Sequence, residues 1–162
     1  MGNWQVVIPE QTENLVANPS WEQSTGNWTS SGLTTHERVS TEQMFGAYAA
    51  HIAGTVGTGS RLYSANMTID AGETWTFSVY YKKSVANSSD LGYVRLSWYT
   101  SSAGLIASTS GALTAGDITA WTRYTQTATP NTSAVTAVVS IMDDGITSGS
   151  TWHMWLDGAQ LE

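Results

Sequence analysis

Apolar and polar residues alternate along most of this chain. In ETWTFSVYYKK, Trp75, Phe77, Val79 and Tyr81 alternate with Thr74, Thr76, Ser78, Tyr80 and Lys82. In GYVRLSWYT, Val94, Leu96 and Trp98 alternate with Tyr93, Arg95, Ser97 and Tyr99. GAYAAHIAG sets Tyr48, Ala50 and Ile52 against Ala47, Ala49 and His51, and SAVTAVVSIM runs through Val135, Ala137, Val139 and Ile141. A period of two is that of a strand with one row of side chains turned inward and the other outward. No window shows the three-four-seven apolar spacing of a helix together with good helix formers. Segments such as STGN, DAGE, SSAG, TAGD and TPNTS separate the runs as turns. Many short strands punctuated in this way predict an all-β protein, a two-sheet antiparallel β-sandwich with little or no helix.

The length of 162 residues fits one domain able to bury a core. Residues 1–13 read separately as an N-terminal arm or linker, because Pro9 argues against a central strand there. Residues 14–162 form the expected domain. Charged residues make up only 12%, so Ser, Thr, Asn and Gly must supply most of the polar surface. The net charge is -7, and the six basic residues form no stripe. That pattern excludes nucleic acid as an expected partner. No apolar run approaches the length of a membrane span, so no membrane insertion is expected. No signal peptide is seen at the amino end. With no cysteine there is neither a disulfide frame nor thiolate chemistry.

Several short motifs then fall in a telling order. NLVANPSWE (14–22) is followed by TGNW, GAYAAHI, AGETWTFS, AWTRYTQTATP and a final WLDGAQLE. This order resembles the carbohydrate-binding modules of the family 4/9 type, over residues 14–162. The pattern there is N-L-x-x-N-P-x-F-E at the start and a hydrophobic-D-x-x-Q-L-E at the end; here Trp21 replaces the usual Phe. The stretches NLVANPSWE and AQLE also resemble modules of phage tail and other virion structural proteins.

The resemblance implies a galactose-binding-like jelly roll whose last strand lies beside its first. Trp152 or Trp155 then packs in the core, depending on where a bulge falls. It also implies a structural calcium ion, Ca2+, held by Glu22 and Asp157 together with backbone carbonyls. The alternative for the pair is that Asp157 caps backbone amides at a bulge and Glu22 is solvated. Asp143 and Asp144 in MDDG lack calcium-loop spacing and read as a turn.

Catalysis finds little support. His36, His51 and His153 lack metal-ligand spacing, and no G-x-S-x-G occurs. Most acids fall in turns; Glu37 and Glu42 flank an expected strand and stay open as a carboxylate pair. The expectation is no enzyme. For sugar binding, the outward rows offer Tyr80 and Lys82 on one strand and Tyr93, Arg95 and Tyr99 on another. These form one patch if the strands are neighbours. Trp28 is a further candidate, although the resembling modules often pack a Trp there.

Two functions follow as expectations. The first is a non-catalytic module displayed on a phage virion, at the tail or capsid surface, where it adheres to cell-surface or environmental polysaccharide. The alternative is a virion structural or decoration protein that uses the jelly roll for subunit contacts without sugar. In that case residues 1–13 dock on other virion subunits. Both place the protein on a virion surface or outside the cell, and copies of the chain are a further expected partner.

Overall fold

A computed structural model describes residues 13–55, 59–85, 92–143 and 150–162. Among these residues the chain forms eleven strands and no helix. Sheet A runs in the order β1 (Trp28–Ser31), β4 (Arg61–Ser64), β10 (Thr136–Asp143), β7 (Gly92–Tyr99) and β8 (Leu105–Ala112). The short β5 (Met67–Thr68) also pairs with β10. Sheet B runs β2 (Thr35–Val39), β3 (Ala49–Thr55), β11 (Thr151–Leu161), β6 (Trp75–Val85) and β9 (Ile118–Ala128). Every described pairing is antiparallel. The two sheets form a jelly-roll sandwich.

The alternating runs become β6, β7, β3 and β10, and their apolar rows meet between the sheets. Sheet A contributes Leu62, Val94, Leu96, Trp98, Val139 and Ile141; sheet B contributes Ile52, Phe77, Val79, Tyr81, Met154 and Leu156. Each fully buried side chain of this size is worth about 1.5–3 kcal/mol relative to exposure. Val135, expected in the inward row, precedes β10 and is exposed. Strand β8 has no inward apolar row because it is an edge strand, with exposed residues along most of its length.

The expectation for the chain ends needs correction. Strand β1 lies at the edge of sheet A, whereas β11 lies in the middle of sheet B. The segment that does run beside the end of β11 is 14–19. Leu15 donates its amide to the Leu161 carbonyl (3.0 Å), and Ala159 donates to the Pro19 carbonyl (2.8 Å). The Asn14 amide group donates to the Ala159 carbonyl, and its oxygen accepts from Leu161 N–H. Pro19 has no N–H and Asn18 has a φ of 53°, so this segment bonds at separate points instead of as a ladder strand. Residues 1–12 of the expected arm, and Asp144 of the expected turn, lie outside the described residues.

Strand β11 is paired on both edges, to β3 from Thr151 to Leu156 and to β6 from Trp152 to Leu161. Trp152 is its core tryptophan; Trp155 points to the other face and is half-buried. A register irregularity between Asp157 and Gln160 marks a bulge at Gly158.

Two outcomes follow. Removing residues 153–162 is expected to abolish cooperative unfolding in urea, because sheet B loses its central strand; a surviving cooperative transition would contradict this. The second concerns His36, whose ring Nε2 is buried without a hydrogen-bond partner. Desolvation by burial holds its pKa below the ordinary 6.5. The unfolded chain therefore takes up this proton first as the pH falls. The stability due to neutral His36 is fully present above about pH 6.5 and declines below it. Urea midpoints measured on both sides of that value should show a smaller acid-side loss in His36→Gln than in the parent.

Candidate functional site

The outward rows of the strands divide between two faces on opposite sides of the molecule. Tyr80 and Lys82 belong to β6 in sheet B, whereas Tyr93, Arg95 and Tyr99 belong to β7 in sheet A. The single patch expected from these five residues is therefore corrected: the strands are not neighbours. Trp28 is corrected as well. It is buried and stacks on the fully buried Trp21 with ring centroids 5.0 Å apart, so it is core.

On sheet A the outer face holds a groove of about 670 Å³. Its floor follows from the cross-strand register. Thr29 on β1 faces Tyr63 on β4, which faces Ser140 on β10, which faces Arg95 on β7. One row away, Arg61 faces Met142, which faces Tyr93. Toward the other end, Tyr99 faces Thr136, which faces Thr68.

Neighbouring strands stand about 4.8 Å apart, so side chains on adjacent strands touch along each row. Arg61 lies over the Tyr63 ring at 5.8 Å from its centroid, and Arg95 Nε donates to Ser110 Oγ at 3.1 Å. One end of the groove is closed by the turn after β7. There Thr100 N–H donates to the Gly104 carbonyl and Ala103, with a φ of 60°, donates to the Thr100 carbonyl. At the other side Ala65 N–H donates to the Asn27 carbonyl (2.8 Å) and carries Asn66 to the rim.

The groove therefore combines two tyrosine rings with hydroxyls, an amide and the Arg61 guanidinium. Arg61 and Tyr63 were missed from the sequence because RLYS is too short to show periodicity. Their signal was the alternation Arg61–Leu62–Tyr63, with Leu62 wholly buried between two outward side chains.

The outer face of sheet B is already internally paired. Lys82 Nζ forms an ion pair with Glu42 and lies 6.0 Å from the Trp121 ring centroid. Tyr80 meets Phe45 edge-on and lies under the Arg123 guanidinium. Glu37 Oε1 contacts His51 Nδ1 at 2.8 Å, and His51 Nε2 contacts His153 Nδ1 at 3.2 Å. His51 also stacks on Trp155, with centroids 5.0 Å apart. The order Glu37, His51, Trp155, Lys82 follows one cross-strand row of β2, β3, β11 and β6. Glu37 and Glu42, the carboxylates left open for catalysis, are thus bound to a histidine and a lysine on this face, away from the sheet A groove. No carboxylate among the described residues lines that groove, so two-carboxylate hydrolysis has no pair there.

Glu22 and Asp157 converge on one segment, residues 44–48. The Asp157 carboxylate is fully buried. Its Oδ2 accepts from Met44 N–H and Phe45 N–H, both at 2.8 Å, and its Oδ1 accepts from Gly158 N–H at 2.7 Å. Glu22 Oε1 accepts from Ala47 N–H (3.0 Å) and Tyr48 N–H (3.1 Å). Gly46, with a φ of 62°, sits against that carboxylate so closely that any side chain there would strike it. A calcium ion takes six to eight oxygen ligands. Here N–H donors face the carboxylate oxygens, and no group of three or more metal-ligating side chains exists among the described residues. The donors present fit amide anchoring. The three N–H groups give the buried Asp157 oxygens hydrogen-bond partners from within the chain.

No family model and no curated sequence matches the chain. Solved structures do match its fold. The enzymatically active domain of tailspike protein 4 from bacteriophage CBA120 superposes with a TM-score of 0.70 at 14% identity, over 91% of this chain and 21% of that one. The chain thus spans about a fifth of that tailspike. A family 16 carbohydrate-binding module matches with a TM-score of 0.65 at 14% identity, over 92% of this chain and 99% of the module. The xylan-binding domain of family 22 from a Paenibacillus barcinonensis protein matches with a TM-score of 0.63 at 14% identity, over 88% and 90%. The chain has the jelly-roll fold of carbohydrate-binding modules, in a form also present in a phage tailspike.

Replacing Asp157 by Ala strands three amides and is expected to cost about 3 kcal/mol of stability in urea titrations. Hydrogen exchange at Met44 and Phe45 should accelerate in the same variant; unchanged exchange at those amides would contradict the anchoring role.

Proposed function

We propose that this protein is a non-catalytic carbohydrate-binding module that holds a glycan in the sheet A groove and works outside the cell, displayed on a virion surface. The observation that carries this is the groove itself: an open trough on a sheet face, with Tyr63 and Tyr99 offering ring faces and hydroxyls beside them. A pyranose presents an apolar C–H face and an equator of hydroxyls, so it needs both. The backbone beneath is locked in the β4–β10–β7 ladder, so binding orders little beyond the side chains. The neighbours matched over most of their own length are sugar-binding by name, which supports the class. The tailspike neighbour supports the virion setting. Single grooves of this kind bind weakly, and a particle bearing many copies gains through effective concentration.

A second reading, a decoration protein held by subunit contacts without sugar, is favoured by the exposed Met44 (40%) and Phe45 (43%) on the sheet B side. We also propose that the Glu22–Asp157 pair is an amide anchor that needs no calcium.

The tests are direct. A glycan array should identify a ligand, and Tyr63→Ala or Tyr99→Ala should weaken its binding by at least about tenfold. Trp155→Ala, on the opposite face, should leave binding unchanged. The reverse pattern would move the site to sheet B, and an empty array with self-assembly or virion attachment intact would favour the decoration reading. For the anchor, melting temperatures in calcium and in chelator should coincide. A calcium-dependent rise would restore the metal site.

A further inference from the structure

Resting on the reading of the sheet A groove as a glycan site, we infer that its ligand is an acidic saccharide, a chain whose sugars carry carboxylates. The chain has thirteen acids against six bases, yet the strands of sheet A carry two arginines, Arg61 and Arg95, and a single acid. That acid, Asp143, is the last residue of β10 and pairs with Gly92, at the end of the sheet away from Tyr99. No acidic side chain among the described residues lines the groove.

On neither sheet is an arginine given a carboxylate partner among the described residues. On the sheet B side Lys82 is matched by Glu42, Arg38 donates to the Glu22 carbonyl, and Arg123 donates to Ser78 and Gln160. Neither Arg61 nor Arg95 has a carboxylate partner among the described residues. Both are exposed. Arg95 Nε donates to Ser110 Oγ on β8, the neighbour of β7 on the side away from the groove.

A guanidinium fork matches a carboxylate with two parallel hydrogen bonds, and such charge-assisted bonds are about twice as strong as those to neutral hydroxyls. The register puts Arg61 beside Tyr63 within the groove, while Arg95, opposite Ser140, lies past the groove's edge on β7. A saccharide lying on Tyr63 is therefore met by the Arg61 cation, and one that extends past Ser140 reaches Arg95. The net charge of -7 repels an anionic chain only at long range. At physiological salt the screening length is about 8 Å, so the groove's own charges decide contact.

The test is calorimetric titration of the full chain with oligogalacturonate, its methyl ester and a neutral β-1,4-galacto-oligosaccharide. The ester keeps the sugar shape and removes the charge. The free acid should bind at least about tenfold more tightly than the ester. Arg61→Gln should bring the free acid toward the ester's affinity, weakening the acid more than the ester and leaving the melting temperature unchanged, with a smaller effect of the same sign for Arg95→Gln. If the ester or the neutral chain binds as tightly as the acid, or if both variants keep the discrimination, the acidic-ligand inference is overturned while sugar binding stands. If none of the three binds, the acidic-ligand inference falls, and the glycan reading falls with it only if the array is empty as well.

Discussion

Two-sided pairing of β11 is the constraint on which the rest of the molecule depends. Its hydrogen bonds to β3 and β6 hold sheet B together. Its inner row, Trp152, Met154 and Leu156, fills the core beneath. Its outer row, His153 and Trp155, builds the face of stacked rings. Where the strand leaves its regular register, Asp157 turns to the amides of the 44–48 segment, and Gly158 takes a φ of 58° that an L side chain would resist. A ring at Phe45 lies where a Cβ on Gly158 would be. Ladder, core and loop anchor are thus consequences of a single strand's placement.

The two outer faces have different characters for a related reason. On sheet B long loops return across the strands, bringing Glu42, Phe45 and Tyr48 against β6, the bulge and Arg38, so polar groups find partners within the chain. On sheet A the connections near Tyr99 and Asn66 are tight turns that stop at the rim. The face between them stays open, and its guanidinium and hydroxyl groups remain oriented toward solvent. An unfilled trough over a rigid ladder is a different object from a crossed-over, self-satisfied surface, although both are made from the same alternating rows.

Much of the architecture was legible because burial imposes a period of two. The rows of β6 and β7 divide as the sequence divides them: Val79 and Tyr81 in, Tyr80 and Lys82 out; Leu96 and Trp98 in, Arg95 and Tyr99 out. Periodicity says which residues share a face, but it does not name the neighbouring strand. Hence Tyr80 and Tyr93 could be imagined together, though they lie in different sheets. Strand β8 was invisible because an exposed edge has no apolar row to display. Trp28 misled because its neighbour in burial, Trp21, adopts a φ of 51° that places one ring on another, a geometry no linear pattern signals. The closeness of Glu22 and Asp157 to one segment was readable through resemblance; the amides they grip were not.

The central place of β11 bears on how such a chain is made. Residues emerge from the ribosome in order, and domains generally begin to fold as they emerge. Every strand of sheet A has been synthesised by Asp143, but β3 and β6 lack the strand that joins them until residues 151–161 follow. Until then two apolar faces wait unpaired, with open edges that could bind a neighbouring nascent chain. Rapid appearance of the final stretch, or protection during that interval, would be under selection as surely as any contact in the finished molecule.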